Sequence, residues 1–64
     1  MDSIMIEKEY EYQGYTIEIH NHPIYHDYEF VVKNDDGIVV MTSTHTYENS
    51  MDAEAAAEIY TGNL

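Results

Sequence analysis

The stretch H-N-H-P-I-Y-H-D, residues 20–27, gathers three of the chain's four histidines and ends on an aspartate. Neutral imidazoles bind zinc through a ring nitrogen, and a carboxylate can complete the ligand set or orient a ligand from behind. His20, His22, His26 and Asp27 are therefore the candidate metal ligands. The spacing H-x-H-x3-H-D matches no specific metal motif, and Pro23 leaves the position of His26 open. Exposed polar side chains at the end of a strand account for the same residues more simply. His45 lies well apart from the cluster, and the apo chain is expected to fold without metal.

Catalysis finds less support. General acid-base chemistry needs a histidine or carboxylate held in a cleft with a shifted pKa. With 13 acids in 64 residues, close carboxylate pairs arise from number alone. The chain has no glycine-rich phosphate loop, no arginine, and neither G-x-S-x-G nor H-E-x-x-H. The expectation is a non-enzymatic protein with no cofactor.

Charge is the stronger signal. Thirteen acids face only Lys8 and Lys33, a formal charge of -11, beyond the roughly 2 to 8 units usual for a small domain. Such a surface repels itself and repels nucleic acid, so direct binding to DNA or RNA is disfavoured. It suits an acidic module that occupies a basic surface of another protein, with carboxylates in the place of phosphates, as a nucleic-acid mimic or an inhibitor. The candidate contacts are Glu7, Glu9, Glu11 and Glu18 on the inferred sheet and Asp52, Glu54 and Glu58 on the inferred helix. Tyr25 and Tyr47 fall in inferred connections, where tyrosine often anchors an interface. Tyr10, Tyr12, Tyr15 and Tyr28 fall on inferred core faces. The same acidity also suits solubility or a salty cytoplasm.

Size points to the alternative. A chain this short buries only roughly 60% of the surface its unfolded form exposes, and it has no cysteine to add a disulfide or a thiolate metal site. One small domain over 1–64 is expected, and a homodimer, joined at an open strand edge or an uncovered sheet face, would complete its core. The longest apolar run, I-V-V-M at 38–41, falls far short of the roughly 20 residues that cross a bilayer. The N-terminal M-D-S-I-M-I-E-K has neither the basic start nor the apolar core of a signal peptide. The expected location is cytoplasmic, with no membrane partner.

The elements that must position these residues are legible as periods. Residues 4–12 alternate, with Ile4, Ile6, Lys8, Tyr10 and Tyr12 on one side and Glu7, Glu9 and Glu11 on the other, which is a half-buried strand. Gln13-Gly14 can make a two-residue hairpin turn into a second strand over about 15–21. That register sets Tyr12 opposite Tyr15, Tyr10 opposite Ile17, Glu9 opposite Glu18 and Glu7 opposite His20. His22-Pro23 ends the strand. A third strand is expected over about 28–33, with Tyr28, Phe30 and Val32 on one face. N-D-D-G, 34–37, then turns the chain, either as a type I′ turn at Asp36-Gly37 or as a three-residue loop with Gly37 in a bulge. A fourth strand follows over about 38–44. The period then changes: Asn49 or Ser50 can cap a helix over about 50–61, and Ala53, Ala56, Ala57, Tyr60 and Leu64 form an apolar stripe. Gly62 is the expected stop, and Glu54 and Glu58 fall on the exposed side. The predicted architecture is α+β: an antiparallel four-stranded sheet of two hairpins, β-β-β-β-α, with one C-terminal helix on one face. Val31, Val39 or Met41 would then be exposed on the uncovered side of the sheet.

Overall fold

The computed structural model describes residues 5–64; Ile4, expected in the first strand, lies outside them. Four strands, β1 (Met5–Tyr12), β2 (Tyr15–His22), β3 (Asp27–Lys33) and β4 (Val39–Thr42), precede one helix, α1 (Ser50–Thr61). The strands form one antiparallel sheet in the order β1-β2-β3-β4, and the helix packs on one face, as the periodicities predict. No helix among the described residues is long and apolar enough to cross a membrane.

The turns explain the registers. Gln13 and Gly14 both take positive φ, 51° and 85°, the signature of the two-residue turn whose twist matches that of its flanking strands. Tyr12 accordingly pairs with Tyr15, Tyr10 with Ile17 and Glu9 with Glu18. Further along, the expected pairing fails. Ile6 pairs with His20 and Lys8 with Ile19, so Glu7 is the extra residue of a bulge and does not oppose His20. The bulge also takes Ile6 off the tyrosine side, and Ile6 is exposed.

The second connection closes where the His26 amide donates to the His22 carbonyl at 2.8 Å. His26 takes φ 57°, which lets β2 run one residue past Asn21 and pair His22 with Asp27. In the third, Asn34 donates its amide to Ile38 and accepts from Gly37, while its side-chain oxygen accepts from the amides of Asp36 and Ile38. This is the three-residue loop, with Gly37 at φ 78° in the bulge. Strand β4 stops at Thr42, short of the expected 44. There the Ser43 hydroxyl accepts from the Phe30 amide, in place of the next backbone carbonyl. The chain then returns to the sheet at a single bridge between Tyr28 and Tyr47.

The core lies between sheet and helix. Ile17 and Ile19 of β2, Phe30 and Val32 of β3, and Ala53 and Ala57 of α1 are fully buried, with Tyr10, Tyr12, Tyr15, Tyr28, Met41, Tyr47 and Ala56 packed around them. Burying each large aliphatic or aromatic side chain contributes on the order of 1.5–3 kcal/mol. The alanines carry little bulk, so the four large side chains of β2 and β3 supply most of the core volume.

Asn49 is the N-cap: its side-chain oxygen accepts from the Asp52 amide at 2.8 Å, satisfying one of the free donors of the first turn. The far end differs from expectation. Gly62 keeps a helical φ of -64°, so its freedom at positive φ is not used. The helix ends in tighter turns, from Asn63 to Tyr60 and from Leu64 to Thr61, with the Asn63 side chain donating to the Ile59 carbonyl. Leu64 is exposed, and Thr61 takes its expected place in the core, because the buried stripe follows a strict four-residue step from Ala53 through Ala57 to Thr61.

Candidate functional site

Period two gives the sheet two unlike faces. The face under the helix holds Lys8, Tyr10, Ile17, Ile19, Phe30, Val32 and Met41. The open face holds Glu9, Glu11, Thr16, Glu18, His20, His22, Asp27, Glu29, Val31 and Lys33. Of the three apolar residues expected in the open, Val39 is exposed, whereas Val31 is half-buried and Met41 is half-buried against the core.

Glu18 is the centre of the open face. It sits on an inner strand and is only 4% exposed. Its Oε2 lies 2.7 Å from Lys33 Nζ, and its Oε1 lies 2.9 Å from His20 Nε2. The like charges of the paired Glu9 and Glu18 are thus answered by Lys33, which stands opposite Thr16 and diagonal to Glu18. The Lys33 ammonium and the His20 ring hold the Glu18 carboxyl below its ordinary range, against the opposing effect of burial. In return Glu18, with a smaller contribution from Glu9, pushes the Lys33 ammonium up.

The remaining candidate metal ligands divide. His22 Nε2 lies 3.1 Å from Glu29 Oε1, near enough for an ion pair but out of hydrogen-bond geometry, so the nitrogen is buried without a bonded partner. Asp27 Oδ1, across the strand pair from His22, is also buried and unpaired. His26 is exposed in the turn beyond. His20 and His22 share a face, as expected from H-x-H, but each is directed at its own carboxylate. Among the described residues no group of three or more histidines and acids is arranged to hold a metal ion.

The candidate partner contacts divide in the same way. Glu7, Glu9, Glu11 and Asp52 are exposed. Glu54 and Glu58 do not stand on the open side of the helix: they face β1, where Lys8 Nζ meets Glu54 Oε1 at 2.9 Å and Tyr10 donates to Glu58 Oε2 at 2.8 Å. Burial and the Glu58 carboxylate push the Tyr10 phenol well up. Tyr25 is 69% exposed at the tip of the β2–β3 turn. Tyr47 is a packing residue, hydrogen-bonded to the Tyr28 backbone and stacked on Phe30 with ring centroids 6.2 Å apart.

Three further exposed acids, Asp35, Asp36 and Glu48, belong with Glu7, Glu9, Glu11 and Asp52. In the sequence they read only as turn and cap-flanking residues, and nothing in it marks them apart from the acids that the fold engages. Among the described residues both lysines are in ion pairs, Lys8 with Glu54 and Lys33 with Glu18. Comparison of the chain with protein-family models, curated proteins and solved structures returned no match, so the geometry of its own residues is the ground for a functional reading.

Proposed function

We propose that this chain is a non-enzymatic protein-binding module that seats its acidic β1 edge on a basic surface of a partner protein, as a nucleic-acid mimic or inhibitor would. One observation carries the reading: both lysines are spent on half-buried or buried acids within the fold. Glu7, Glu9, Glu11, Asp35, Asp36, Glu48 and Asp52 are left exposed, and among the described residues none of them is in an ion pair. Glu9 and Glu11 are two apart along a strand, so the sheet sets their Cα atoms about 7 Å apart on one face. Fixed charge of one sign speeds encounter with a basic surface and makes the complex salt-sensitive.

The test is capture of partners from lysate on the immobilised chain at about 50 mM and about 500 mM salt, spanning Debye lengths on either side of ~8 Å. A parallel chain carries Glu7→Gln, Glu9→Gln and Glu11→Gln. The reading expects a basic protein retained at low salt, released at high salt or by added duplex DNA, and lost from the triple variant. A partner that the triple variant holds equally well, or no partner at either salt, would refute it.

A further inference from the structure

Among the described residues the sheet has two free edges of opposite character. Edge β1 presents Glu7, Glu9 and Glu11, so two copies meeting there would set carboxylates against carboxylates. Edge β4 lies inside residues 37–47, which contain no acid and no lysine in a chain with a formal charge of -11. It is the longest uncharged run in the sequence. Along it Ile38, Val39 and Val40 are 59%, 49% and 42% exposed. Beside it, between β4 and the end of the helix, a shallow pocket of about 130 Å³ is lined by Phe30, Met41, Thr42, Thr44 and Tyr60. That is close to the ~150 Å³ known to accept a benzene-sized group.

We infer that the β4 edge and this pocket form a self-association surface whose occupant is a second copy of the chain. The segment that lies against β4 must be extended, apolar and free of acids, and β4 itself meets each condition. Antiparallel pairing of β4 with its copy across a twofold axis satisfies the backbone groups of both edges and makes an isologous interface. It also lets an aliphatic side chain of one copy enter the pocket of the other. The carboxylates of both β1 edges stay on the far sides of the joined sheet. A strand of four residues with one small pocket buries less than the ~1,200 Å² of a standard interface. So small an interface belongs to the weak class, for which a dissociation constant of roughly 10 μM to 1 mM is expected.

Sedimentation equilibrium of the full chain from about 10 μM to about 1 mM, spanning that constant, tests the inference at about 50 mM and about 500 mM salt. A monomer–dimer equilibrium is expected that tightens with added salt, as repulsion between the two copies is screened. A complex with a basic partner responds to salt in the opposite sense, so failure of one reading is distinguishable from failure of the other. Val40→Glu and, separately, Ile38→Glu place a charge on the exposed edge, and each should weaken the dimer by at least about tenfold with an unchanged circular dichroism spectrum. Glu9→Gln on the opposite edge should leave the dimer intact or tighten it. A chain that stays monomeric at the highest concentration in high salt overturns the inference. So does a dimer that withstands both edge charges or is weakened by Glu9→Gln.

Discussion

Replacing Glu18 by glutamine keeps the shape of the side chain and removes its charge. Two charge-assisted contacts are altered, Oε2 to Lys33 at 2.7 Å and Oε1 to His20 at 2.9 Å. Such bonds contribute roughly 1.5–3 kcal/mol each when shielded from water. The carboxylate is shielded, with 5% of its side chain exposed, but its Lys33 partner is 32% exposed and therefore screened. Desolvation of the carboxylate offsets part of the rest. The low end of the range is appropriate, a loss of about 1.5 kcal/mol at neutral pH. In a chain this small that lowers Tm by about 6–12 °C. Because folding lowers the Glu18 pKa, its contribution is complete above the unfolded value near ~4.3. It is lost as pH falls from there through the lower folded value. Urea unfolding of both chains between neutral and acid pH provides the check. The stability gap should hold steady down to about pH 4.3 and close below it. A variant as stable as the parent at neutral pH, or a gap that widens in acid, would show that the Glu18 contacts do not stabilise the fold as argued.

Two other substitutions probe the helix end and the third turn. Thr61 is 2% exposed and its hydroxyl has no hydrogen-bond partner among the described residues, so Thr61→Val should stabilise by about 1 kcal/mol. Urea midpoints at unchanged m measure this, and a destabilised variant would mean that the hydroxyl is paired. Gly37 has φ 78° with nothing within 4 Å of an added Cβ, so Gly37→Ala should cost about 1 kcal/mol through backbone strain alone. Gly62 has a helical φ, so Gly62→Ala should be neutral or stabilising by about 0.5 kcal/mol; equal losses at both glycines in thermal unfolding would contradict the assigned conformations.

Much of the fold was legible because it is written in local patterns. Alternation in I-E-K-E-Y-E-Y, glycine at positions 14 and 37, and asparagine at 49 each act within a few residues. Their effects on strand, turn and cap survive in the folded chain. The expected pairing of Glu9 with Glu18 also held, since a tight turn sets the register of the residues nearest to it. It failed at Glu7, where a bulge inserts a residue, and nothing in the alternation distinguishes a bulged residue from a paired one.

The candidate site was legible as a composition and not as a surface. Thirteen acids and two lysines determine that the chain is strongly negative whatever its shape. Which acids remain free depends on contacts between distant elements. Lys8 meets Glu54 on the helix, Tyr10 meets Glu58, and Lys33 crosses from β3 to Glu18 on β2. Those contacts remove Glu18 from the surface and engage Glu54 and Glu58, while Tyr47 is drawn into the core by its bridge to Tyr28. The sequence by itself determined the order of the elements, the turns that join them and the sign of the charge, because these follow from neighbouring residues and from totals. Only the tertiary structure decided which acids stay free, Glu7, Glu9 and Glu11 on β1 among them, and which are engaged by Lys8, Lys33 and Tyr10, because ion pairing and burial depend on which strands and helix faces come together.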